Sequence, residues 1–118
     1  MNEDLKIRTR DFAIRIIKLF AALPRTTEAQ VIGKQLLRSG TSVGAQYRES
    51  HFAKSDADLI SKIQGALQEL EETLYWLELI EQTQSFTAER LQSITQEANE
   101  LRAILITIAK KVKARAKG

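Results

Sequence analysis

The chain has 118 residues, one histidine, no cysteine, and 18 Lys+Arg against 15 Asp+Glu for a formal charge of +3. The missing cysteines exclude disulfides, thiolate metal sites and cysteine nucleophiles, and a single histidine leaves zinc and triad chemistry short of partners. A hydrophobic content of 43% excludes a disordered tail, and without a signal-type N-terminus or a run of roughly 18 uncharged apolar residues, one cytoplasmic domain with no membrane partner is expected.

The first predicted helix covers about residues 4–22. Phe12, Ile16, Phe20 and Leu23 recur at helical spacing, with Ala13, Ile17 and Leu19 widening the stripe. Arg8, Asp11, Arg15 and Lys18 form a charged stripe opposite. Pro24, the only proline, disfavours helix at Leu23 and ends the segment.

The second helix is expected over about 27–51, beginning at Thr26 or Thr27, with Thr27 and Gln30 fitting a capping box. Glycine inside a helix costs about 1 kcal/mol relative to alanine. Gly33, Gly40 and Gly44 nevertheless recur along one stripe, which points to close approach of a neighbouring helix. Gly40-Thr41-Ser42-Val43-Gly44 also matches G-x-S-x-G. A nucleophile elbow, however, needs a strand and a strained turn, and only His51 stands ready as a base. The small residues therefore read as packing, and His51 as a surface or capping residue.

The third helix is expected over about 55–82. Ser55 caps it, Asp56 and Asp58 favour its first turn, and Leu59, Ile63, Ala66, Leu70 and Leu77 share a face. Leu74 to Ile80 is apolar nearly all round, which one buried face does not explain. Leu74, Tyr75, Trp76, Leu79 and Ile80 are therefore assigned to an oligomer interface.

The fourth helix is expected over about 87–115, capped by Thr87, with Phe86 stapled onto Leu91. Leu91, Ile94, Ala98, Leu101, Leu105, Ile108 and Val112 form a heptad-like seam, and the last residues, from Lys110, are expected to fray. Short links between long helices force antiparallel neighbours. The expected fold is all-α, a single antiparallel up-down-up-down four-helix bundle over residues 1–118.

The carboxylate pairs Glu69/Glu72, Glu78/Glu81 and Glu97/Glu100 lack the Glu-x-x-His partners of a di-iron bundle site. No metal, cofactor, small-molecule substrate or catalytic residue is expected. Arg38, Glu49, Asp58, Lys62, Glu69 and Glu72 read as a structural polar network between the second and third helices, with Asp58 and Lys62 paired at i,i+4. By segment, the net charge is +3 over residues 1–25, +2 over 26–54, −6 over 55–85 and +4 over 86–118. The basic residues of the outer helices, Arg8, Arg10, Arg15, Lys18, Lys110, Lys111, Lys113, Arg115 and Lys117, are candidates to engage the phosphates of RNA or DNA. The competing role of the C-terminal cluster is to complement the helix dipole. Aromatic interleaving is absent from that tail.

Gln35-Leu36-Leu37-Arg38-Ser39-Gly40-Thr41-Ser42-Val43-Gly44-Ala45, with Tyr47-Arg48-Glu49, resembles the signature of the four-helix-bundle proteins named for 23S rRNA intervening sequences. Ala53-Lys54-Ser55, Asp58, Lys62, Ala66-Leu67, Glu69-Leu70, Glu72-Thr73 and Tyr75-Trp76-Leu77 continue the resemblance. The chain departs from the pattern at Gln46, where Asn is usual, and at Ser50, where a small residue such as Gly or Ala is usual. The resemblance implies a four-helix bundle assembled as a homopentamer, with no established enzymatic activity. A similar fold occurs in the accessory variability protein of diversity-generating retroelements, which binds nucleic acid. The function expected is a non-enzymatic homo-oligomer that binds RNA or DNA with little sequence readout. The alternative is a scaffold for a protein partner only.

Overall fold

In the computed structural model, which describes residues 3–83 and 85–118, the chain folds into four helices. These are α1 (Glu3–Ala21), α2 (Thr27–Ser50), α3 (Asp56–Gln82) and α4 (Ala88–Lys117). No strand occurs among the described residues.

Three of the helices start at a hydroxyl that accepts a backbone N–H: Thr26 from Ala29 at 3.3 Å, Ser55 from Asp58 at 3.0 Å and Thr87 from Arg90 at 3.2 Å. Each such cap contributes about 1 kcal/mol. The α2 cap is thus Thr26, the first of the two expected starts. Gln30, the expected partner in a capping box, donates instead to the Pro24 carbonyl at 2.9 Å. The α4 C-terminus also departs from expectation, staying helical to Lys117. Ala109 and Val112 are buried there, and Arg115 grips Asp56 on α3 at 2.6 Å, so the last turns have tertiary anchors.

Cross-helix contacts give the directions. Along α2, Gly33, Gly40 and Gly44 face Leu23, Ile16 and Thr9 in turn. Ser39 of α2 meets Thr73 of α3, while Glu49 meets Lys62. Glu71 and Asp56 of α3 pair with Arg102 and Arg115 of α4. Arg8 and Arg15 of α1 reach Glu97 and Ser93 of α4. In every pair one number rises as the other falls, so neighbours are antiparallel. The bundle measures 51 × 21 × 21 Å. The α2–α3 interface is the most extensive and the α1–α4 interface the least.

The core takes Phe12 and Ile16, Ile63, Leu70 and Leu77, and Leu91, Leu101 and Leu105 from the expected stripes, and adds Leu5 of α1 and Leu36, Val43 and Tyr47 of α2. On α4 the buried seam passes from Leu105 through Ala109 to Val112, with Ile108 only partly covered. The glycines let α1 approach α2, since a Cβ at Gly40 would lie 2.8 Å from two carbons of Ile16. One buried polar link crosses α2 and α3: Thr73 donates to Ser39 at 2.9 Å, and Ser39 to the Leu36 carbonyl at 3.3 Å. Satisfied in this way, the hydroxyls avoid the roughly 1–3 kcal/mol penalty of an unpaired buried group.

The apolar run 74–80 is divided differently from the expectation. Ile80 is 0% exposed and belongs to the core of its own bundle, so it cannot serve a partner surface. Leu77 joins it, Leu74 and Trp76 flank the core, and only Tyr75, 52% exposed, stands clear in solvent. Four helices enclosing one core demand apolar residues over much of α3, which accounts for most of the run without a second subunit.

Candidate nucleic-acid interface

The G-x-S-x-G match sits in the middle of α2. Thr41 donates to the Leu37 carbonyl and Ser42 to the Arg38 carbonyl, at 2.7 and 2.6 Å. Both hydroxyls are thus bonded back to their own helix, as mid-helix Ser and Thr commonly are. His51 is the C-cap of α2, and its ring stands edge-on to Tyr47 at 5.0 Å. Among the described residues no group of three metal-ligating side chains assembles.

Two arginines each hold an i,i+3 pair of glutamates across a helix interface. Arg38 of α2 donates to Glu69 at 2.9 Å and Glu72 at 3.2 Å on α3. Arg8 of α1 bonds Glu97 at 2.6 Å through Nη2, with a second bond from Nε at 3.1 Å. Its Nη2 also lies 3.6 Å from Glu100. The Arg8 pKa is raised, first by the hydrogen bond to Glu97 against partial burial, then by the charges of Glu97, Glu100 and Asp4. Two carboxylates on neighbouring turns repel one another, and a forked cation between them turns that repulsion into a cross-link.

The α2–α3 network differs from the expectation in one pair. Asp58 does not serve Lys62. It accepts the Lys54 backbone N–H at 3.1 Å, while Lys62 reaches across to Glu49 at 3.4 Å. Asp58 lies in the first turn of α3, where bonding the preceding backbone competes with a side-chain partner four residues on.

The nine basic candidates do not form one two-helix stripe of free cations. Arg8 is engaged with Glu97, Arg10 with its neighbour Asp11 at 3.0 Å, Arg15 with Ser93 at 2.8 Å and Arg115 with Asp56. The hydrogen bond to Asp56 also raises the Arg115 pKa. Lys18 lines a shallow cleft with Arg15, Leu19 and Arg90 at the opposite end of the bundle. Lys110, Lys111, Lys113 and Lys117 are exposed and make no ion pair among the described residues. These four gather where the α4 C-terminus, the α1 N-terminus and the α2–α3 turn meet. Lys6, Arg48 and Lys54 lie at that same end. The positive charge is therefore polarised along the 51 Å axis.

Two exposed apolar features depart from the helical periodicity, one at this end and one running along α1. Phe52, in the α2–α3 turn, is 83% exposed. On α1, Ile7, Ile14 and Ile17 are exposed at 41%, 41% and 48%, so Ile17 faces solvent instead of widening the inward stripe. Ile7 and Ile14 stand one heptad apart on the face turned away from the core. The signal for that row is present in the sequence, because α1 is apolar on two faces, but it merges with the inward stripe.

A family described as 23S rRNA-intervening sequence protein has a sequence model that matches residues 3–107. The match stops short of Lys110, so the lysine-rich end of α4 lies beyond it. A crystal structure from Bacteroides thetaiotaomicron VPI-5482, of a protein with unknown function from the S23 ribosomal protein family, is similar at 43% identity and a TM-score of 0.85. The similarity covers 90% of this chain and 98% of that one. No curated protein matches the chain.

Proposed function

The chain belongs to the 23S rRNA-intervening sequence protein family, and on that footing we propose that it is a non-enzymatic, cytoplasmic homo-oligomer that binds RNA or DNA through phosphates. The observation that carries this reading is the set of four lysines, Lys110, Lys111, Lys113 and Lys117, on the last two turns of α4, which make no ion pair among the described residues. Seven helical steps set them along about 10 Å of axis, a span over which flexible lysines can meet successive phosphates. Ammonium groups deliver charge with little geometric demand, so they position a strand without reading its sequence. The family name refers to rRNA, which makes RNA the first polyanion to try.

A mobility shift of the whole chain with RNA tests the reading. Four phosphate contacts predict an affinity loss of about 50- to 150-fold between 50 and 200 mM salt. Absence of a shift at low salt, or a shift indifferent to salt, contradicts it.

The oligomer draws support from the exposed isoleucines of α1, together with Tyr75 on α3. Apolar rows of this kind are what a second copy would cover. Light scattering is expected to read a multiple of the 13.3 kDa chain mass; a mass of one chain overturns this part. The same isoleucine row favours the second reading, a scaffold for a protein partner only. That reading predicts indifference to polyanions.

A further inference from the structure

Resting on the phosphate reading above, we infer that the basic end of the bundle takes single-stranded nucleic acid and that Phe52 is its base-stacking platform. A phenyl ring left 83% exposed forgoes the hydrophobic stabilisation its burial would contribute. The turn that carries it is pinned. Phe52 N–H donates to the Glu49 carbonyl at 3.0 Å and Ala53 N–H to the Ser50 carbonyl at 3.2 Å. On the far side Ser55 caps α3, and Asp56 is held by Arg115. The ring is therefore presented from a fixed backbone, and the Arg115 bond ties the lysine-bearing end of α4 to the same turn.

The surroundings favour a base over an apolar partner. Phe52 opens onto a cleft of about 620 Å³ whose other walls are Glu49, Lys54, Asp58 and Lys62. No second apolar side chain lines it, whereas protein hot spots sit within contiguous apolar patches. Both carboxylates are engaged, Glu49 by Lys62 and Asp58 by the Lys54 amide. The Lys54 ammonium carries no ion pair among the described residues. A lone aromatic face beside cations suits single-strand binding, in which bases stack and the backbone is held by charge. In a duplex the bases are already stacked on one another, so duplex gains only the charge contacts.

The test titrates the full chain with a twelve-nucleotide single-stranded RNA and with the duplex of that sequence, at low salt. Phe52→Ala is expected to weaken single-strand binding at least about fivefold and to leave duplex binding within twofold. Phe52→Trp is expected to keep or tighten single-strand binding. Both variants should melt like the wild type, since the ring touches little. If the wild type binds neither probe, the phosphate reading fails and this inference with it. If both probes bind with a salt slope and Phe52→Ala changes neither, or changes both alike, only the stacking role is overturned. A change in oligomeric mass on Phe52→Ala also overturns it, by making Phe52 a contact between chains.

Discussion

Replacing Gly40 with leucine is expected to lower the melting temperature by several degrees, up to about 10 °C. The first added carbon alone would lie 2.8 Å from both Cγ1 and Cγ2 of Ile16, which is itself 0% exposed. Ile16 is β-branched and held to few rotamers, so it cannot rotate away, and three further carbons would press α1 off α2. Overpacking of this kind costs about 1–3 kcal/mol and occasionally more. The gain in helix propensity, about 0.8 kcal/mol, opposes it without cancelling it. For a domain of this size each kcal/mol moves the midpoint by about 3–6 °C. Gly33→Ala is the contrasting case. Its clash is with Leu23 Cδ1 at 2.5 Å and the Phe20 ring edge. The far end of a leucine can turn aside, so propensity and clash should nearly balance. Thermal melts that rank the two variants in the opposite order would show that α1 is not wedged at Gly40.

The second large effect is expected at Arg38. Arg38→Met leaves Glu69, 9% exposed, without the guanidinium 2.9 Å away, and leaves Glu72 beside it as an unrelieved like charge. Stranding a buried charge outweighs losing the attraction itself. Because half of the Arg38 side chain remains in solvent, the cost is set at about 1–3 kcal/mol, below that of a fully enclosed pair. Adding Glu69→Gln to Arg38→Met should restore part of the loss, and a double-mutant cycle by denaturant melts measures the coupling. Additive effects of the two substitutions would make the Arg38 contact incidental to the fold.

Much of this molecule is written in local chemistry. The hydroxyls of Ser55 and Thr87 cap their helices because the bond they accept comes from three residues away. The spacing of Gly33, Gly40 and Gly44 announces a helix contact because only close approach explains glycine inside a helix. What depends on the placement of a distant helix is not legible in that way. Arg8 looks like one of a row of solvated cations until Glu97 is set 2.6 Å from it. Ile80 and Tyr75 share an apolar run with no period to divide them, and only the packed bundle puts one inside and the other out. Phe52 sits in a turn, where periodicity says nothing about exposure. The exposed positive charge accordingly gathers at one end of the bundle, mainly on Lys110, Lys111, Lys113 and Lys117, and not along two whole helices. A structure of the same family with unknown function matches the fold at a TM-score of 0.85, but fold likeness carries no function of its own.

The central claim is that these four lysines hold phosphates while the paired arginines hold the bundle together. The most direct measurement is the dependence of RNA affinity on salt for the wild type, for the fourfold lysine-to-glutamine variant at 110, 111, 113 and 117, and for Arg8→Gln. The fourfold variant is expected to lose about three units of the log–log salt slope with its melting curve unchanged. Arg8→Gln should keep the wild-type slope. An unaltered slope in the fourfold variant, or a slope that falls with Arg8→Gln, would contradict the assignment.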